Sequence, residues 1–151
     1  MSKYTFYFRE HSVFSNWNTE HSFELFDQKF NCGEQAMMWS KAMIFGDKDK
    51  ADEIMLETEP KEQKKKGKEV SGFDNDIWKG ARTPLMYMIF NAKYSQNEEP
   101  YGKLIQSKDT IMVEASPYDK IGGCGLSEEK AKRTPEKQWS GKNLHGKVLT
   151  K

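Results

Sequence analysis

Glu34 and Lys41 stand seven residues apart in a stretch whose apolar residues recur at helical spacing. Seven residues is close to two turns, so a carboxylate and an ammonium share one helix face. Such a pair can hold a phosphate on the lysine or keep the glutamate ionised for acid–base or electrostatic work. Glu34 also follows Asn31 by three, the spacing of a capping box, in which it would only reach back to the helix start. Trp78 and Arg82 are four apart and again share a face. The indole can stack on a planar ring or fill a core; the guanidinium can clasp a phosphate or make a surface ion pair. Arg9 is a further phosphate candidate. Asn16 and Asn143 carry neutral donors and acceptors suited to ribose or base edges, or to forming turns. Asp119, in Ser116-Pro117-Tyr118-Asp119, stands where an aspartate ordinarily satisfies turn N–H groups, with Glu114 as a reserve carboxylate.

Other chemistries find little support. His11, His21 and His145 are scattered, with no HxH or HExxH spacing, so neither a metal site nor a nucleophilic triad is expected. The run Gly122-Gly123-Cys124-Gly125 lacks the following Lys-Ser/Thr of a P-loop. Cys32 and Cys124 have no CxxC partner and are expected to be reduced, buried thiols. In 151 residues, 24 Lys+Arg against 23 Asp+Glu leave a net charge of +1, which argues against binding nucleic acid through bulk charge. A local basic groove at 64–68 or 130–133 stays open. No apolar run reaches membrane-spanning length and the start resembles no signal peptide, so a cytoplasmic protein is expected.

The elements that must position these residues follow from pattern and capping. Residues 4–8 alternate as a strand. Residues 22–26 and 29–32 read as a hairpin about Asp27-Gln28. Asn31 is expected to cap a helix over 33–45, with Met38, Ala42 and Phe45 as its apolar stripe and Trp39 and Met43 widening it. Shorter helices are expected over 49–56 and from Pro60 to the lysine cluster ending at Gly67. Asp74 caps a helix carrying Trp78 and Arg82. Thr83-Pro84 reads as a new start or a kink, followed by a core face of Leu85, Met88, Ile89 and Ala92. Another helical turn opens at Glu99-Pro100, a strand covers 110–114, and 127–133 is helical. The expectation is one domain over 1–151, α+β and predominantly helical with a small β-sheet.

Six blocks, in order, carry a resemblance to a known family. They are Phe14-Ser15-Asn16-Trp17; residues 30–38 with Lys41-Ala42 and Phe45-Gly46-Asp47; Lys64-x-x-Gly67-Lys68 with Phe73 and Trp78-x-x-x-Arg82; residues 92–97; residues 113–119 with Gly123-Cys124-Gly125-Leu126; and Trp139-x-Gly141-x-Asn143-Leu144-x-Gly146. Together they cover nearly the whole chain, which resembles the YbiA-like family, also called NADAR.

The resemblance implies a compact α-rich α+β domain that cleaves N-glycosidic bonds of ribosylated or ADP-ribosylated nitrogen compounds. Substrates in the family include phosphoribosylamino-pyrimidine intermediates of riboflavin synthesis and ADP-ribosyl-guanine, so ADP-ribosylated nucleic acid is a possible partner. No cofactor is implied. It implies catalytic roles for Glu34 and Asp119, with Trp78 contributing to the site. Arg9, Asn16, Lys41, Arg82 and Asn143 are then substrate-binding candidates. One position departs from the pattern: Gly122 stands where the family usually has a tryptophan after the Ser-Pro-Tyr-Asp turn. Trp17 and Trp139 are replacements by type. The departure feeds an alternative, a weakly catalytic or non-catalytic module that binds ADP-ribose or NAD derivatives.

Overall fold

The computed structural model describes residues 4–7, 14–106, 110–116, 123–134 and positions 136, 139, 141, 143, 146 and 149. Arg9, Asp119 and Gly122 therefore lie outside the described residues. Among those described are six helices and two two-stranded sheets, which is the helix-dominated α+β class expected. The chain divides into two compact units, Asn16–Glu98 and a second made of Met1–Ser15 with Glu99–Lys151.

The first of these units holds β2 (Phe23–Leu25), β3 (Gln28–Phe30), α1 (Gly33–Ile44), α2 (Lys48–Leu56), α3 (Pro60–Gly67) and α4 (Asn75–Gln96). The hairpin turn falls on Phe26 and Asp27, at φ 54° and 60°, one residue earlier than the sequence suggested. Two positive-φ residues give the reversed twist that a two-residue hairpin needs. The hairpin is pinned from α4. The Glu24 N–H donates to Gln96 Oε1 at 2.7 Å, and Gln96 Nε2 donates to the Glu24 carbonyl at 2.8 Å. Thus the Gln96 amide pairs as a strand neighbour would.

Helix α1 packs against α2, α3 and α4. Ala42, Ala51, Ile54 and Val70 are buried together, with Met38, Trp39 and Phe45 packed around them. Small residues here let the helices approach closely: a Cβ on Gly67 of α3 would overlap Met38 Sδ. The expected stripe holds at Ala42, but Met43 is 44% exposed. It lies on the edge of the stripe, where it lines an open pocket with Met55 and Leu56 of α2.

Of the two readings of Thr83-Pro84, the new helix start is absent. Helix α4 runs through Pro84 as one element. A proline removes one i→i−4 bond and crowds the preceding turn. Here Pro84 is exposed, and Leu85, Met86, Ile89 and Phe90 just beyond it are buried. Burial of this C-terminal half outweighs the local loss. Met88, expected in the core, is 46% exposed, and Met86 and Phe90 take its place. At the other end Asp74 caps as expected, accepting from the N–H groups of Asp76 and Ile77.

The second unit pairs β1 (Tyr4–Tyr7) with β4 (Ile111–Glu114) in parallel, Tyr4 opposite Ile111. It also contains α6 (Glu128–Arg133), capped by Ser127. Helix α5 (Glu98–Gln106) begins at the division between the units. Val113, Cys124 and Ala131 form the centre, flanked by Tyr4, Phe6, Ile111, Leu126 and Trp139. Both cysteines are buried free thiols, as expected.

Candidate active site

The start of α1 is built differently from the capping box read in the sequence. Cys32, not Asn31, is the N-cap, in extended conformation and without a side-chain capping bond. The residue that reaches back is Gln35. Its Oε1 accepts the Asn31 N–H at 2.8 Å, while its Nε2 faces the carbonyls of Ile54, Met55 and Glu57 at 3.3–3.4 Å. One buried amide therefore serves the start of α1 and the end of α2. Gln63, fully buried on α3, completes the network: it donates to Asn31 Oδ1 and the Glu57 carbonyl and accepts from the Cys32 thiol. With Gln35 doing the capping, Glu34 is not needed for it.

Glu34 is half-buried in the first turn of α1, and its N–H donates to the Asn16 carbonyl at 3.0 Å. Asn16 is buried, and its Oδ1 has no hydrogen-bond partner among the described residues. That oxygen lies where a Cβ of residue 33 would go, so the close approach depends on Gly33.

Two turns along the same face, Lys41 is half-buried. Its Nζ lies 4.7 Å from the centre of the Phe73 ring and 5.7 Å from that of Trp78. Desolvation is the main influence on this ammonium and lowers its pKa; the nearby Glu34 carboxylate raises it and Lys68 lowers it further. The two aromatic faces compensate part of the lost hydration. Trp78 is therefore part of a wall around Lys41 rather than a core residue. Four residues on, Arg82 has a buried Nε without a partner among the described residues. Trp17 faces another cation, Lys64, at 6.0 Å.

The structure thus gathers Glu34, Asn16, Lys41 and Trp78, with Arg82 one turn beyond Trp78 on α4. Phe73 and Lys68 belong to the same surroundings; the sequence offered Lys68 only as part of a basic groove at 64–68 and Phe73 only as part of a family block, with no role in the site. Phe73 stands in a loop, where no periodicity announces a neighbour; the cue available was Gly72, whose positive φ (74°) turns the chain just before it.

Asn143 and Glu114 belong to the other unit, and Asn143 has structural work there. At φ 51° its Nδ2 donates to the Met112 carbonyl, its Oδ1 accepts from the Glu114 N–H, and its own N–H reaches the Gly123 carbonyl. It extends the hydrogen bonding of β4 and holds the 123–125 segment beside it. Trp139 is packed on Tyr4 and donates its indole N–H to the Thr134 carbonyl, so it serves the core of this unit. Among the described residues no cluster of three or more His, Cys, Asp or Glu side chains could hold a metal ion.

Residues 5–151 match the family model described as NADAR domain. Protein irg-1 of Caenorhabditis elegans is 37% identical over 123 residues, 80% of this chain and 58% of that protein. N-glycosidase R617 of Acanthamoeba polyphaga mimivirus is 39% identical over 118 residues, 78% of this chain and 69% of that protein. The chain thus spans less than two thirds of irg-1 and about two thirds of R617. The NMR structure of the E. coli protein YbiA superimposes with a TM-score of 0.77 over 99% of this chain and 82% of that one, at 19% identity. At that identity the likeness is one of fold.

Proposed function

The chain belongs to the NADAR family, and from that premise we propose that it is an N-glycosidase, hydrolysing the bond between a ribosyl carbon and the nitrogen of a small ribosylated or ADP-ribosylated compound. The relative R617 is named an N-glycosidase, which supports the reaction class. The observation that carries the reading is the grouping of a half-buried glutamate with a lysine set between two aromatic rings.

Hydrolysis of such a bond builds positive charge on the anomeric carbon, needs a positioned water, and needs the departing nitrogen to be protonated or hydrogen-bonded. In the proposed site Glu34 supplies negative charge and a base for the water. Trp78 stacks on the planar leaving group. Lys41 and Arg82 face phosphate, and the Asn16 side-chain amide is assigned to the ribose hydroxyls. A buried acceptor and a buried donor without partners among the described residues are costly unless water or a ligand supplies them, which supports a polar ligand here. Asp119 and Arg9 enter on the family resemblance alone, as partner carboxylate and phosphate ligand. Asn143 is assigned an indirect role, through β4. We extend the reading to one domain over 1–151. No helix among the described residues is long and apolar enough to cross a membrane.

The test is base release from a panel: a phosphoribosylamino-pyrimidine, an ADP-ribosyl-guanine oligonucleotide, ADP-ribose and NAD. Release from one of the first two would identify the substrate branch. ADP-ribose binding without release from any of them would reject the enzyme in favour of a binding module.

A further inference from the structure

Asp47 has no role in the chemistry just proposed, yet its carboxylate joins two segments that border the site. As the N-cap of α2 it accepts the Lys50 N–H on Oδ1 at 3.1 Å. Its second oxygen, Oδ2, accepts both the N–H of Ser71 at 2.9 Å and its hydroxyl at 3.1 Å. Capping needs only one oxygen. The pair of bonds to Ser71 is additional and fixes the loop between α3 and α4.

That loop carries the aromatic wall. Gly72 follows at φ 74°, and a Cβ there would lie 3.2 Å from the Phe45 carbonyl oxygen, so the chain turns tightly against the end of α1. Phe73 comes next. Its ring meets Phe45 edge-on at 5.3 Å and lies 4.7 Å from Lys41 Nζ. At 45% exposure Phe73 has limited burial to hold it. Its place over Lys41 therefore depends on the backbone before it, which the Asp47–Ser71 bonds hold.

We propose that Asp47 is a positioning residue: through Ser71 it keeps the Phe73 ring over the Lys41 ammonium and so sets one wall of the candidate active site. The proposal rests on the reading of that site given above. The bonds donated by Ser71 and Lys50 also lower the Asp47 pKa, so the carboxylate that makes them is the form present at neutral pH.

Asp47→Ser separates the two tasks, because serine is a good N-cap but one hydroxyl cannot serve both Lys50 and Ser71. Ser71→Ala leaves the cap intact and removes only the hydroxyl bond. The readout is the pH profile of Lys41 acetylation by acetic anhydride, followed by peptide mass spectrometry, which needs no substrate. In the parent protein the Lys41 midpoint lies below that of an ordinary lysine. It moves up towards the ordinary value in Asp47→Ser, and by a smaller step in Ser71→Ala. For the substrate released in the panel, kcat/KM falls by about ten-fold or more in Asp47→Ser, the scale expected when a site wall is misplaced. An unmoved Lys41 profile in either folded variant overturns the proposal. Because labelling does not depend on turnover, that result is distinct from a failure of the N-glycosidase reading, which would leave the panel inactive and the labelling shift in place.

Discussion

Gly33→Ala places one methyl group at the junction of α1 and the Asn16 loop. The new Cβ would overlap Asn16 Oδ1 and lie 2.6 Å from Asn16 Cγ, where an ordinary contact is 3.4 Å or more. Asn16 is buried, so it cannot swing into solvent. Relief requires a shift of more than about 1 Å in Asn16 or in the first turn of α1. Overpacking of this kind costs about 1–3 kcal/mol, and the helix preference of alanine over glycine returns at most about 1 kcal/mol. The net expectation is a loss of about 1–2 kcal/mol, a drop in Tm of roughly 2–8 °C for a chain of this size. Gly80→Ala is the internal comparison: it lies in α4, with nothing within 4 Å of the new Cβ. It should gain about 0.5–1 kcal/mol. Differential scanning calorimetry of the two variants beside the parent reads both signs. Because the Asn16 carbonyl also holds the Glu34 N–H, Gly33→Ala should lose turnover as well. A Gly33→Ala protein as stable and as active as the parent would refute this account of the α1 entry.

Lys93 is 1% exposed, and burial lowers its pKa to about 8, with Cys32 acting weakly in the opposite direction. The folded protein then holds fewer protons on this group than the unfolded chain between about pH 8 and 10.5, so stability contributed by Lys93 rises with pH across that window, with a ceiling of about 3 kcal/mol. Burial raises the pKa of Cys32 and Tyr94, which acts the other way in the same window, so the Lys93 contribution is read as a difference: in urea unfolding, the stability of the parent relative to Lys93→Met should rise between pH 8 and pH 10, and equal pH slopes would contradict it. Gln35→Leu strips the Asn31 N–H of its acceptor and the last carbonyls of α2 of their donor. The unfolding midpoint in urea should fall by the equivalent of about 1–3 kcal/mol, and an unchanged midpoint would remove Gln35 from the account.

Local signals carried far in this chain. Asp74 caps where its side chain suggested, Pro60 opens α3, a helix covers 128–133 within the stretch expected, and the hairpin appears within one residue of its expected turn. What escaped notice depends on contacts distant in the chain. Glu34 and Gln35 are both suited to reach back from the first turn of a helix, and the choice of Gln35 is made by carbonyls 19–22 residues away at the end of α2. Pro84 signals a break, yet the buried side chains after it keep α4 whole. The parallel pairing of β1 with β4 joins residues about a hundred positions apart, beyond any alternation pattern. Glu34 and Lys41 are neighbours on α1, as two turns of helix require, and Trp78 and Arg82 stand one turn apart on α4. Phe73 and Asp47 act from a loop and a helix cap, and their neighbours come from other elements.

The most direct test of the central claim is turnover of Glu34→Gln beside the parent, using whichever nitrogen-linked ribosyl substrate the parent hydrolyses. The substitution removes charge and basicity while keeping nearly the same shape. Release of the nitrogen compound should fall by about a hundred-fold or more, the scale of a lost acid–base group, with ADP-ribose binding and the unfolding midpoint retained. Parent-level release by a folded Glu34→Gln protein would contradict the claim that this glutamate carries the chemistry.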